Sequence, residues 1–331
     1  MKAIIPVAGA GTKLRPHTYT QPKALIPMAG KTILSVIVDE LIKWEIDEYI
    51  FIIGYLGDKI QDYVMEKYPD LKCTFITQNE RKGTGHAIYL TRSAVQEEEV
   101  AIVFGDTICS FDIQEVLNSP YSMIGVKRVE DPRLFGVAEI DEQHFVRKVA
   151  EKPLIPKSNL ALVGVYKIKE TKDLFDALEE CLQSGNAQNG EYHLTLALQL
   201  MIDKGIKLKA FEVKSWFDCG KKETLLETNA TLLRRLQRNN QDTTASYPNT
   251  VIIPPVHIGE GCKIENSIVG PNVAVGDYAQ IRSSIIHNTI IGAYAELHEI
   301  VLKQSIIGSD AYVHGLSQSL NIGDNTDVDL G

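Results

Sequence analysis

Gly9 and Gly11, one residue apart, open a stretch that also carries Lys13, Arg15 and Lys23 and no acid: PVAGAGTKLRPHTYTQPKAL, residues 6–25. With Lys2 and Lys31 this makes five cations before the first carboxylate side chain, Asp39. The whole chain leans the other way, with 34 Lys+Arg against 43 Asp+Glu and a formal charge of −9. A loop with few side chains lets backbone amides approach a ligand, and Lys or Arg neutralise oxyanions, so the segment suits a polyphosphate. It is not a Walker A loop, because MAGKT lacks the glycine that should occupy position 25. It is not a dinucleotide fingerprint either: Leu14 stands where the third glycine belongs, and Pro16 interrupts the helix that should start there. The plain alternative, a solvated basic loop, fits poorly with so acidic a chain.

Such a loop must sit at the end of a buried strand. Up to about residue 130, short apolar runs alternate with amphipathic stretches: KAIIPVA, ILSVIVDELIKW, YIFIIGY, IQDYVMEKY, CTFITQ, HAIYLTRSAV and VAIVFGD. This βαβα order predicts a parallel sheet covered by helices on both faces, with ligands beyond the carboxyl ends of the strands. Strands 1, 3 and 4 end in GAGTKLRP, QNERKGTG and GDT, so three strand ends converge on one crevice. From 134 to 168 the pattern is extended and hairpin-like, which predicts an α+β insertion beside the sheet. Helices are expected near 171–183 and 192–204, with a longer one from Lys221 to about Arg238. The polar run NNQDTTASYPN reads as a linker, giving domains of 1–240 and 250–325.

Beyond it the period changes. An aliphatic residue followed by glycine recurs at Ile258, Val275, Ile291, Ile307 and Ile322, at intervals of 17, 16, 16 and 15 residues. Additional matches lie about six residues from a neighbour, as at Ile264, Val269 and Ile281. Repeats of this kind fit a β-helix of some four coils, in which each aliphatic side chain stacks inward on its counterpart one coil away.

Composition narrows the class further. The acidic balance argues against a nucleic-acid surface, LLRRLQR at 232–238 being only a short stripe. Five scattered cysteines, never spaced C-x-x-C, argue for a reducing compartment and against a disulfide frame or zinc site. No secretory h-region and no apolar run of about 18 residues is present, so neither export nor a membrane span is expected and the cytoplasm is the expected location.

At this point the residues resemble a family. GAGTKLRPHTYTQPKALIPMAGK is similar to the signature of sugar-1-phosphate nucleotidylyltransferases, and GTGHAI, FGDT, FGVAEID, EKP, SNLALVGVY, GEYHLT and WFDCGKKETLLETN follow in the family's order. The tail resembles the hexapeptide repeats of left-handed β-helices. The likeness is greatest to the glucose-1-phosphate thymidylyltransferase branch. It implies an α/β fold: a Rossmann-like nucleotidyltransferase domain, its mixed sheet flanked by helices, followed by a short left-handed parallel β-helix. It also implies that a sugar 1-phosphate, glucose 1-phosphate foremost, attacks the α-phosphorus of a nucleoside triphosphate and expels pyrophosphate. Mg²⁺ is the implied cofactor, with Asp106 and Asp218 as its carboxylates. Lys13 stands where the family carries a phosphate-binding arginine, which keeps the charge but loses the bidentate fork. Arg15 is expected to share the triphosphate contact, and Lys23 to lie near the α-phosphate. Glu151 is expected on sugar hydroxyls and Lys152 on the sugar phosphate, with Gly136 and Gly164 admitting the ring and Asn159 as a further candidate. For the base, Gln78 can donate and accept, which matches the imide edge of thymine or uracil, and Gly83 gives close backbone contact. dTTP therefore ranks ahead of UTP, with ATP and GTP behind. Glu191 is expected to order the sugar loop, although Leu196 occupies a place where relatives often carry Asp.

Two other readings follow from the departures. Lys13 and Thr107 motivate a non-catalytic regulatory paralogue. The tail, with His257, His287, His298 and His314, motivates a bifunctional enzyme with acetyltransfer, but four coils leave little room for an acyl-carrier groove, so the histidines are read as corner or surface residues. The closing GDNTDVDLG lacks the later glutamate of a calcium loop and reads as a disordered acidic end. The exposed ends and faces of the β-helix predict a homo-oligomer.

Overall fold

The computed structural model of the chain describes residues 1–185, 187–188, 190–239 and 247–315. It divides into two compact units, Met1–Ile26 with Lys31–Leu225, and Pro27–Gly30 with the chain from Leu226 onward.

The first unit is built on a nine-stranded mixed sheet. Its strands are β1 (Lys2–Pro6), β2 (Glu48–Ile53), β3 (Cys73–Thr77) and β4 (Val100–Val103). A short β5 (Thr107–Ser110) leaves the sheet, and β6 (Ser122–Arg128), β7 (Gly136–Ile140), β8 (Val146–Glu151), β9 (Leu160–Ile168) and β10 (Leu208–Glu212) complete it. The order is β8-β7-β9-β4-β1-β2-β3, with β6 pairing both β9 and β10. β1 is parallel to β2 and β4, placing Ile4 beside Ile50 and Ile102, all fully buried. These near-continuous apolar runs are what a strand covered on both faces requires.

The helices are α1 (Ile33–Ile42), α2 (Gly57–Lys67), α3 (Thr84–Tyr89), α4 (Arg92–Val95), α5 (Ile113–Leu117), α6 (Thr171–Gln183) and α7 (Leu194–Asp203), with α8 (Lys222–Asn239) crossing into the second unit. The helix expected over HAIYLTRSAV breaks into α3 and α4. Thr91 Oγ1 bonds back to the Ile88 carbonyl at 2.7 Å, offering the backbone an alternative to helical continuation.

The segment expected as an insertion beside the sheet instead extends it. β9 runs antiparallel to β4, and the β7–β8 hairpin adds to β9. Within β9 the register against β6 shifts between Leu162 and Tyr166. Gly164, at φ 81°, supplies the left-handed conformation this bulge needs, and its carbonyl accepts from the Phe104 amide at 2.9 Å. A separate two-stranded ribbon joins β5 antiparallel to β11 (Ser215–Asp218).

The second unit is a left-handed parallel β-helix whose short strands stack into three four-stranded sheets. Ile264, Ile281, Leu297 and Val313 succeed one another in register along one sheet and point into the core. The 17- and 16-residue intervals are thus one coil each. Corner residues such as Asn266, Ser283 and Glu299 adopt positive φ, and Asn272 donates to Asn288 Oδ1 at 2.7 Å across a corner. The four histidines of this region lie in strands rather than at corners. Asn229 on α8, fully buried, accepts from the Ala29 amide at 2.8 Å and donates to the Asn272 carbonyl at 3.3 Å. Ile322-Gly323 and the acidic end lie outside the described residues, as does most of the polar run after α8. Among the described residues no helix is long and apolar enough to cross a membrane.

Replacing Asn229 with Ala leaves the buried Ala29 amide without its partner. The expected loss is about 2–4 kcal/mol of stability, read by denaturant unfolding, on the ~1–3 kcal/mol cost of each unsatisfied buried group.

Candidate active site

The β1 strand delivers the glycine loop to the carboxyl edge of the sheet. Gly11 there has φ 59°, and a Cβ would stand 2.9 Å from both Lys23 Cβ and Thr18 Cγ2. Only glycine lets the loop fold down onto Lys23 this closely. Thr18 Oγ1 donates to the Gly11 carbonyl at 2.8 Å, and short 3₁₀ turns at Thr12–Leu14, His17–Tyr19 and Lys23–Leu25 replace the helix of a dinucleotide fold. Buried Ala24 and Leu25 anchor the third turn, so that Lys23 Nζ reaches Asp106 Oδ2 at 2.6 Å.

Asp106 stands between β4 and β5. Asp218 ends β11, where the ribbon register sets it opposite Thr107, and the Cys219 amide donates to the Asp106 carbonyl at 3.0 Å. Burial pushes the Asp218 carboxyl above its ordinary range, and the charge of Asp106 pushes it the same way. Lys23, the Gly220 amide and Lys13 act against both. Two carboxylates so close are stable together only with positive charge between them. Lys23 supplies it here, and a hard divalent cation bound to both and to phosphate oxygens fits the same donors. Among the described residues no three His, Cys, Asp or Glu side chains converge on one point, so such an ion would take its remaining ligands from substrate or water.

These groups line a cleft of about 610 Å³. In its wall Gln78, 7% exposed, gives both amide hydrogens to the chain, one to the Gly83 carbonyl and one to His86 Nδ1, each at 3.1 Å. Burial lowers the His86 pKa, which keeps its ring neutral and able to accept. Gln78 Oε1 is therefore the atom left for a ligand, and it accepts only. Gly83 packs on Tyr192, whose amide donates to the Lys82 carbonyl at 2.7 Å. Glu151, also lining the cleft, closes β8 opposite Gly136 and accepts from Thr195 Oγ1 at 3.0 Å. Lys152 Nζ lies 3.6 Å from Glu151 Oε1 and is half exposed.

Of the residues singled out in the sequence, Gly9, Gly11, Lys13, Lys23, Gln78, Gly83, Asp106, Gly136, Glu151, Lys152, Gly164 and Asp218 all line this cleft. Arg15 and Asn159 do not. Arg15 is exposed, its guanidinium 4.9 Å from the Tyr19 ring centre, and Asn159 borders a separate open depression with Arg128 and Lys157. Arg81, His193, Thr195 and Trp216 line the cleft and were not singled out as site residues. Trp216 announces itself only by lying two residues before Asp218. It packs edge-on against Phe135 at 4.8 Å, and its buried indole nitrogen has no hydrogen-bond partner among the described residues.

Residues 2–235 match the family model for nucleotidyl transferases, and residues 235–326 match the model for a GlmU-like C-terminal hexapeptide region. Among curated proteins, the bifunctional protein GlmU of Methanocaldococcus jannaschii is 36% identical over 257 residues, 76% of this chain but 59% of that protein. The glucose-1-phosphate thymidylyltransferase of Streptomyces antibioticus is 31% identical over 86% of this chain and 81% of its own length. Among solved structures, a putative glucose-1-phosphate thymidylyltransferase from Bacillus anthracis aligns with a TM-score of 0.60 at 26% identity, covering 70% of this chain and 94% of that one. A UDP-glucose pyrophosphorylase aligns at 0.62 over 71% of this chain and 98% of its own, and at 23% identity it bears on the fold alone.

Because the folded state raises the Asp218 pKa, it holds that proton more tightly than the unfolded chain. Stability therefore falls as pH rises from the ordinary carboxyl value through the raised one. Asp218→Asn is expected to stabilise the fold by about 0.5–2 kcal/mol at neutral pH and to abolish this pH dependence, as thermal unfolding across pH 3–7 would show. In Lys23→Met the Asp218 titration followed by ¹³C NMR should move further upward, and added Mg²⁺ should bring it down.

Proposed function

The chain belongs to the nucleotidyl transferase family, and we propose that it joins a pyrimidine nucleoside triphosphate, dTTP before UTP, to a sugar 1-phosphate, glucose 1-phosphate foremost, releasing pyrophosphate. The observation that carries this reading is the meeting of Lys13, Lys23, Asp106 and Asp218 in one cleft that Gln78, Glu151 and Lys152 also line. The arrangement suits an in-line displacement at the α-phosphorus, which needs positioning and charge neutralisation rather than a covalent intermediate.

Lys23 neutralises the α-phosphate, exchanging its internal carboxylate for a substrate oxyanion. Lys13, exposed at the cleft edge, neutralises the leaving pyrophosphate. Lys152 holds the sugar phosphate. Glu151, fixed by Thr195, accepts from sugar hydroxyls. Gln78 Oε1 accepts the imide N–H that thymine and uracil share. Asp106 and Asp218 would hold a magnesium ion, which when bound would supply charge neutralisation for the two anionic substrates. Mg²⁺ is part of the proposal, as are the sugar and the base.

A bifunctional enzyme with acetyltransfer in the β-helix is the second reading, supported by the hexapeptide match and the bifunctional relative. His257 packs against the Gly30 turn, its ring within 2.4 Å of where a Cβ would stand. His298 and His314 are neighbours in register on an outward face. Consumption of acetyl-coenzyme A by the full chain, lost in His298→Ala, would establish it.

A panel of dTTP, UTP, ATP and GTP crossed with sugar 1-phosphates, read by pyrophosphate, tests the main reading. Release is expected only when triphosphate, sugar 1-phosphate and Mg²⁺ are all present, fastest with dTTP. Lys23→Met should reduce kcat by about 10²–10³-fold, the cost typical of losing one group aimed at developing charge. Gln78→Ala should lower kcat/KM for dTTP while leaving the KM for the sugar phosphate unchanged. No pyrophosphate with any pair would overturn the proposal.

A further inference from the structure

A nucleoside triphosphate brings about four negative charges into the cleft, and the cations already placed there do not all stand free to meet them. Lys23 is paired with Asp106 and Lys152 lies beside Glu151. Lys13, which is a point charge without a fork, has no ion pair among those found in the described residues. The other cleft cation in this position is Arg81, which has no carboxylate partner either, although its neighbour Lys82 is paired with Glu80.

Arg81 rests instead on an aromatic face. Its guanidinium lies 5.6 Å from the ring centre of Tyr55, in the turn that follows β2. Tyr55 is itself fixed, its hydroxyl donating to the Tyr19 carbonyl at 3.1 Å, and Lys59 Nζ donates to the Thr20 carbonyl at 2.8 Å. The Tyr55 turn is thereby tied to the 3₁₀ turns of the glycine loop. A cation over a partly buried aromatic ring at the surface, as here, is held by only about 0.5–2 kcal/mol and can be exchanged for a charged acceptor. A guanidinium is also suited to phosphate, because its planar fork engages two oxygens at once.

We propose that Arg81 is a substrate-binding residue that leaves the Tyr55 ring for the β- and γ-phosphates of the triphosphate, supplying the bidentate contact that Lys13 cannot and carrying the pyrophosphate as it departs. This rests on the nucleotidyl-transfer reading for the identity of the ligand. Tyr55 acts as the positioning residue, holding Arg81 over the cleft edge through its ring and binding the glycine loop through its hydroxyl.

The test is equilibrium binding of dTTP and of inorganic pyrophosphate, each with Mg²⁺, to the full chain and to Arg81→Gln, Arg81→Lys and Tyr55→Phe. Binding requires no turnover, so it stands apart from the panel above: a chain that binds both ligands through Arg81 but releases no pyrophosphate contradicts the assigned reaction and not this assignment. Arg81→Gln should weaken both ligands by about 10–100-fold, the range expected for a lost charge-assisted pair. Arg81→Lys should recover only part of the affinity, and in turnover the KM for dTTP should rise while that for sugar 1-phosphate stays put. Tyr55→Phe keeps the ring and loses the hydroxyl, so it should retain pyrophosphate affinity within about threefold of the parent. Arg81 is exposed and makes no ion pair among the described residues, so the unfolding temperature of Arg81→Gln should match the parent and separate lost binding from lost folding. Pyrophosphate affinity within twofold of the parent in Arg81→Gln overturns the proposal. So does a changed preference between dTTP and UTP with pyrophosphate binding intact, which would make Arg81 a reader of the base.

Discussion

Asp106 and Asp218 are brought side by side by a four-residue antiparallel ribbon that pairs Ser110 with Ser215, residues 105 apart in the chain, and ends with Asp218 opposite Thr107. Two half-buried carboxylates at that separation repel, and burial makes the repulsion worse by weakening solvation. The fold answers with Lys23, delivered from the first strand's loop, whose ammonium bonds to Asp106 and draws the Asp218 pKa back down. Lys23 can reach only because Gly11 has no side chain to stand between the loop and the turn that carries it. The ribbon, the glycine and the lysine therefore form one dependency: disturbing any of them leaves negative charge uncompensated at the middle of the cleft.

That same arrangement leaves positive charge in the cleft of a chain whose net charge is −9. Four cations line the cleft, Lys13, Lys23, Arg81 and Lys152, and two of them rest on partners within the chain, Lys23 on a carboxylate and Arg81 on an aromatic ring. The bulge at Gly164 serves the same end from the opposite side, turning the backbone of β9 so that its carbonyls anchor Phe104 and Thr107 on either side of Asp106.

Much of this was legible in the sequence where the signal is local. The order of apolar runs gave the strands and helices of the sheet, and the 17- and 16-residue spacing gave the coils, because stacking in register demands a constant repeat. Glycines and cations at strand ends marked the cleft. What stayed hidden was the long-range pairing. Nothing near Asp218 says that it faces Thr107, and the antiparallel return of β9 onto β4 turned an apparent insertion into the continuation of the sheet. Arg81 carries no signal of its own in QNERKGTG, since only its position over Tyr55 in the folded chain sets it apart. Arg15, two residues from Lys13, shared the composition of the loop, but the backbone turns after Leu14, whose side chain is buried, and carries Arg15 out to Tyr19.

The most direct test is whether the two ribbon carboxylates share one ion around the triphosphate. Manganous ion standing in for Mg²⁺, with dTTP added, would be followed by electron paramagnetic resonance for the parent, Asp106→Ala and Asp218→Ala. The account requires one tightly held ion per chain in the parent, weakened at least tenfold by either substitution alone. Manganese held equally well without one or both of these carboxylates would contradict it.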